Sequence, residues 1–184
     1  MTAPNLNNEN EIRSRWPWRQ NAPIVADVDG DGQVEIISGS DVFKLVNGVW
    51  TLAWQSKFEP STVAVADLDG DGKAAVIQYQ SNFGAGRAFD GSDSGIFIYT
   101  HDGTLLRRIP LPPTTSPEGW LTVGDIDGDG VPEILVVNGG YLYAYHADGR
   151  LVWAYAVPDI PTELAGNIPA PVATQFRTGI TAAQ

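Results

Sequence analysis

Apolar residues in this chain come in short runs that stop at Gly, Asp or Asn, and three sets of such runs repeat. In each set one run precedes an acidic stretch: Ile24, Val25 and Ala26; Val63 to Ala66; Leu121, Thr122 and Val123. A second run follows it, over residues 34–38, 75–79 and 133–137. The runs are too short for helices, rich in β-branched residues and bounded by turn formers, which is the pattern of strands. A third run, at 42–46, 96–100 and 141–146, meets a turn dipeptide: Asn47-Gly48, Asp102-Gly103 or Asp148-Gly149. Such dipeptides favour the pair of positive φ angles of a type I′ hairpin turn. A fourth run, at 50–55, 104–109 and 150–156, closes each set. The expected unit is a four-stranded antiparallel meander whose first two strands are joined by the acidic stretch.

The acidic stretches begin at Asp27, Asp67 and Asp125, so the spacing is 40 and then 58 residues. The longer interval holds a Gly, Ser and Asp-rich insertion at 81–95 and a Pro-rich connector at 110–119. Repeats of this length with four strands each are the signature of propeller blades, which bury their faces against neighbours. The expected fold is therefore all-β, built of β-propeller-type blades in one domain over 1–184. Blade 1 is expected at about 20–57, blade 2 at 60–111 and blade 3 at 119–158. Residues 10–19, with Ile12, Trp16 and Trp18, resemble a fourth strand lacking its three predecessors. Residues 167–174 echo 21–27, a first strand without its acidic loop. Partial blades are thus expected at both ends, over 10–19 and 167–184, with three whole ones between them.

Composition narrows the chemistry. The 184 residues contain no cysteine, which removes disulfides and thiolate metal sites from consideration. No apolar run reaches the length of a membrane span, and the first residues lack the basic and apolar regions of a signal peptide. The formal charge is −11, from 22 acidic and 11 basic residues. Four, three and four of the acids lie in the three loops, so the rest of the chain is neutral. A concentrated negative charge excludes nucleic acid as a partner and points to cations.

Each loop places Asp at positions one, three and five, with Gly at four and six. Carboxylates at alternate positions, with glycine bending the chain between them, let hard oxygens converge on one point. That suits Ca²⁺, which takes six to eight oxygen ligands. An EF-hand also begins this way, but it needs a bidentate Glu at position twelve, where this chain has Ser38, Gln78 and Val136. It also needs flanking helices, where strands are expected.

With these loops the sequence resembles the FG-GAP/VCBS repeat family, whose calcium-loop blades also build integrin α-subunit propellers. The segments from Val25 to Ile37 and from Gly124 to Val136 match its pattern, and residues 141–153 resemble the outer hairpin of quinoprotein-type blades. The resemblance covers about 20–157 and implies Ca²⁺ at about three sites. It assigns Asp27, Asp29, Asp31, Gln33 and Glu35 to site one, with position seven contributing its backbone carbonyl. Site two is Asp67, Asp69, Asp71 and Lys73, and site three is Asp125, Asp127, Asp129, Val131 and Glu133. Site two carries Ala75 where the others carry Glu, so it is expected to bind most weakly. Family propellers close with more blades than three.

No catalytic constellation stands out, and no enzymatic activity is expected. His101 and His146 stand just before the Asp-Gly turns and are read as equivalent, turn-supporting residues. Asp90, Asp93 and Glu118 lie in the insertions without a recognisable partner. Trp50, Trp54, Trp153 and the alternating Tyr141, Tyr143 and Tyr145 lie in expected strands, where packing between blades is their default role. Trp16 and Trp18, with Arg13, Arg15 and Arg19, make the N-terminal strand apolar and basic. The expected function is a non-enzymatic, calcium-binding structural or adhesive module of an extracellular surface. Terminal strands of one copy could complete the partial blade of another, closing a ring or running on as a filament. The alternative partners are the missing blades of a longer chain, or a glycan or surface protein. The alternative function is a carbohydrate-active fragment, a polysaccharide lyase or a lectin propeller.

Overall fold

The structure is a computed structural model that describes residues 22–57, 60–80, 95–112 and 120–156. The expected strands at 10–19 and 167–184, most of both insertions, and the residues Trp16, Trp18, Arg13, Arg15, Arg19, Asp90, Asp93 and Glu118 lie outside the described residues. Twelve strands form three antiparallel four-stranded sheets, each in chain order, and the described residues contain no helix. Blade 1 holds β1 (Ile24–Ala26), β2 (Glu35–Ser38), β3 (Asp41–Val46) and β4 (Val49–Gln55). Blade 2 holds β5 (Thr62–Ala66), β6 (Ala75–Gln80), β7 (Gly95–Tyr99) and β8 (Leu105–Pro110). Blade 3 holds β9 (Leu121–Gly124), β10 (Glu133–Asn138), β11 (Tyr141–Tyr145) and β12 (Leu151–Ala156). Strand bounds agree with the sequence reading to within a residue, and the sheets do not close into a barrel.

The blades stack in chain order, with β1 beside β5 and β5 beside β9. Because successive side chains alternate between faces, blade 2 sends one set of residues each way. Val76, Phe97 and Tyr99 pack with Val28, Ile37 and Val42 of blade 1. Ile77, Tyr79, Ile96 and Ile98 pack with Leu121, Ile134, Val136 and Tyr145 of blade 3. Burial on both faces explains why β6 and β7 read as nearly continuous apolar runs. Polar contacts cross the second interface: the Tyr79 hydroxyl donates to Asn138 Oδ1 at 3.0 Å, and Asn138 Nδ2 donates to the Pro112 carbonyl at 2.9 Å. Burial pushes the Tyr79 phenol well above its ordinary value.

The hairpin turns are of two kinds. Asn47 and Gly48 have φ of 51° and 78° between the paired Val46 and Val49, as a type I′ turn requires. At Asp102-Gly103 and Asp148-Gly149 only the glycine is left-handed, with φ of 90° and 88°. There Gly103 N donates to Thr100 O, and Thr100 N to Thr104 O, with the same pair of bonds at His146, Gly149 and Arg150. These are three-residue loops, a type I turn followed by a left-handed glycine. The expectation of type I′ geometry is corrected at these two turns. The expected equivalence of the histidines is corrected as well, because Ala147 separates His146 from Asp148 whereas His101 directly precedes Asp102. His146 occupies the position of Thr100, and His101 that of Ala147, so the two are not equivalent.

A fourth strand reaches the turn of the next blade. Trp54 of β4 donates its Nε1 hydrogen to the His101 carbonyl at 2.8 Å, and its ring lies on Gly103 and tilts against Tyr99. A Cβ on Gly103 would stand 2.7 Å from Trp54 Cδ2, so the packing itself selects glycine there. Trp54 meets its expected packing role. Trp153 and Tyr141 remain 37% and 47% exposed, because β12 is open along its whole length.

Candidate metal centre

The three acidic loops sit at the joins β1–β2, β5–β6 and β9–β10, at one end of the stacked sheets. Loops one and two touch: Ala74 N donates to Val28 O at 2.9 Å, and a Cβ on Gly30 would lie 3.2 Å from Gly72 O. Inside each loop the same backbone bonds recur. The first Asp accepts two glycine amides through its two oxygens. Gly30 and Gly32 donate to Asp27 at 2.8 Å each, Gly70 and Gly72 to Asp67 at 2.8 and 2.9 Å, and Gly128 and Gly130 to Asp125 at 2.7 and 3.0 Å. All six glycines have φ between 74° and 87°, the left-handed region that a Cβ resists. The Asp67 carboxyl is held below the usual range chiefly by the Gly72 amide, with those of Gly70, Asp69 and Asp71 adding to it.

Position three accepts from the amide of position five, at 3.2 Å for Asp29, 3.3 Å for Asp69 and 3.2 Å for Asp127. Position five in turn accepts from position seven: Gln33, Lys73 and Val131 donate at 2.8 Å to Asp31, Asp71 and Asp129. Position nine closes the loop where it carries Glu. Glu35 Oε2 accepts from Val28 N at 2.9 Å, and Glu133 Oε2 from Ile126 N at 3.1 Å.

Three acidic groups result, in each of which one oxygen per residue lies within 4.8 Å of the others: Asp27, Asp29 and Glu35; Asp67, Asp69 and Asp71; Asp125, Asp127 and Glu133. Asp31 and Asp129 stand outside their groups and serve the loop backbone. Gln33, Lys73 and Val131 are exposed and contribute amides to the loop. Ala75 adds nothing, so site two relies on Asp71 where the others use a glutamate.

A hard divalent cation fits these residues, and the decisive observation is in site three. Glu133 is completely buried, yet its Oε1 accepts no hydrogen bond among the described residues. His146 Nδ1 comes within 3.4 Å of that oxygen without hydrogen-bond geometry. A buried carboxylate oxygen without a partner is costly unless something cationic meets it. Three clustered acidic groups of oxygen donors are the donor set for such an ion.

Two residues at these sites escape the loop pattern. One register step beyond the Ile36–Phe43 pair, Lys44 faces Glu35; one step beyond Ile134–Tyr145, His146 faces Glu133. In blade 2 the same step sets Thr100 opposite Ala75. The Lys44 ammonium contacts Asp29 Oδ2 directly and lies 3.7 Å from Glu35 Oε1. Its hydrogen bond holds the Asp29 carboxyl below the ordinary range, and Asp29 in turn raises the Lys44 ammonium above its own. The signal was in the sequence only as a strand register, which depends on turn geometry.

Among solved structures the chain is similar to the biofilm matrix protein Bap1 of V. cholerae, at 20% sequence identity and a TM-score of 0.53. The likeness covers 74% of this chain and 20% of that one, so this chain spans about a fifth of its length. No protein-family model matches the chain, and no curated protein matches it. The likeness is one of fold and agrees with an all-β, blade-built chain. Membership of the FG-GAP/VCBS family has no matching family model behind it.

Proposed function

We propose that this chain is a calcium-binding structural or adhesive module of an extracellular surface, made of FG-GAP/VCBS-type blades and without enzymatic activity. The observation that carries the reading is the Glu133 oxygen: fully buried, without a hydrogen-bond partner among the described residues, and grouped with Asp125 and Asp127. Ca²⁺ sites of extracellular modules have dissociation constants of about 10⁻⁴–10⁻³ M, so millimolar Ca²⁺ fills them where resting cytosolic levels do not. The fold likeness to a biofilm matrix protein supports a place outside the cell.

Self-association of copies belongs to the same proposal. Blades 1 and 3 each turn one face away from blade 2. On blade 1 the row Val25, Ile36, Phe43 and Leu52 ends in residues 61% and 45% exposed. On blade 3, Trp153 and Tyr155 are 37% and 59% exposed. Blade 2 covers the equivalent apolar faces inside the chain, so the partner of matching chemistry is a blade of a second copy.

Calorimetric titration tests the reading: Ca²⁺ should bind with heat, and site two, lacking a position-nine carboxylate, should be weaker than site three. Chelation should lower the Tm, since a ligand that binds only the folded state stabilises it. A Tm unmoved by EDTA refutes structural calcium. Light scattering in Ca²⁺ that finds only monomer refutes assembly, and cleavage of a bound oligosaccharide refutes the non-enzymatic reading.

A further inference from the structure

The three loops share one hydrogen-bonded backbone and differ in what meets the oxygens of position nine. In site three, Glu133 Oε1 is buried and accepts no hydrogen bond among the described residues; the nearest base, His146 Nδ1, is 3.4 Å away and touches no other carboxylate of the group. In site one, the corresponding Oε1 of Glu35 has the Lys44 ammonium 3.7 Å away. That ammonium also contacts Asp29, so it touches or approaches two of the three carboxylates grouped there. In site two, Ala75 and Thr100 have replaced the glutamate and its facing base together. The glutamate and the basic residue thus occur as a pair or not at all among these blades.

A tethered ammonium and a divalent cation are drawn by the same negative field to the same lone pairs. An oxygen that accepts a hydrogen bond from Nζ is not free to ligate a metal along that direction. Lys44 has a four-carbon stem that lets its head leave for solvent, and its side chain is 31% exposed. We propose that Lys44 is a built-in competitor for the ion at site one, so that this site fills at higher free Ca²⁺ than site three. The inference rests on the reading of the loops as calcium sites. It gives the chain two regimes: site three loads first, and site one responds to concentration as the ion displaces Lys44. The charge removed from the loops by Lys44 is also what steadies Asp29 and the buried Glu35 before the ion arrives.

Site-resolved titration decides it, with the backbone amides of Gly32 and Gly130 as reporters in nitrogen–proton correlation spectra of the whole chain. These amides donate to Asp27 and Asp125, the first residues of sites one and three. In the wild type, Gly130 should shift at lower CaCl₂ than Gly32. Lys44→Met should lower the Gly32 midpoint about tenfold, the equivalent of one charge-assisted hydrogen bond removed, and leave Gly130 in place. Lys44→Gln, which keeps polarity without charge, is the second variant should Met prevent folding, and it should move Gly32 the same way. Lys44→Arg keeps the charge and should keep the wild-type midpoint. A Gly32 midpoint that stays or rises in the Met and Gln variants overturns the competition while leaving calcium binding intact. Absence of any Ca²⁺-dependent shift at both glycines overturns the calcium reading and the inference with it.

Discussion

Glu133→Gln separates a metal ligand from an ordinary buried acid. The substitution keeps the shape of the side chain and an oxygen for the Ile126 amide, 3.1 Å away, but removes the charge. In EDTA, the wild type holds a completely buried carboxylate whose Oε1 has no hydrogen-bond partner among the described residues. An unsatisfied buried polar atom costs about 1–3 kcal/mol. Relieving half of that cost, about 0.5–1.5 kcal/mol, at about 2–4 °C per kcal/mol for a chain of this size, should raise the Tm by about 1–6 °C. In Ca²⁺ the same change removes an anionic ligand. A loss of about two orders of magnitude in affinity removes about 2.8 kcal/mol of stabilisation from a filled site. That exceeds the gain, so the ranking of the two proteins should reverse. The assay is thermal unfolding followed by circular dichroism, with and without chelator. If Glu133→Gln lowers the Tm equally in both conditions, then the oxygen is satisfied by the chain and the metal assignment at site three fails.

Other consequences are quicker to check. Gly103→Ala forces a Cβ into φ of 90° and to 2.7 Å from Trp54, whereas Gly140→Ala meets φ of 82° with nothing within 4 Å. Backbone strain of about 1–3 kcal/mol is common to both, and overpacking adds about 1–3 kcal/mol to the first; equal losses in chemical denaturation would refute the inter-blade role of Trp54. Asp102 is held at about 2, first by the Thr100 hydroxyl and then by the Thr104 amide. Its folded value lies below its unfolded one, so its stabilisation is present above about pH 4 and fades as pH falls toward 2. The stability gap between wild type and Asp102→Asn should therefore narrow from about pH 5 to pH 2, and a constant gap would contradict it.

The strands were legible because their apolar runs are short, β-branched and fenced by Asp and Gly, and each maps onto an observed strand to within a residue. The acidic loops were legible because the bonds that shape them are local: every amide donor to Asp27, Asp67 or Asp125 comes from within five residues. What lies across a hairpin was not. Asn-Gly makes a two-residue turn, whereas Asp102-Gly103 and Asp148-Gly149 close three-residue loops. That one-residue difference in turn length shifts the facing positions of β3 and β4 in blade 1 relative to the other blades. His101 and His146 looked alike because each stands near an Asp-Gly pair, but Ala147 separates His146 from Asp148, so His146 aligns with Thr100 and not with His101. Trp153 and Tyr141 were read as packed because a strand pattern marks which residues share a face. It does not say whether a neighbouring blade covers that face.

The same register argument gives the loops an internal control. Their backbone bonds are nearly superimposable in kind and length, so differences in ion binding between sites must come from side chains at position nine and opposite it. Site three has Glu133 with His146 beside it, site one has Glu35 with an ammonium on its ligand set, and site two has neither acid nor base. Counting carboxylates alone ranks sites one and three together above site two. Counting the cation already present ranks site one below site three, because one positive charge cancels one of its four acids. Which ranking the titration returns distinguishes a loop that works by ligand number from one that works by net charge at the site.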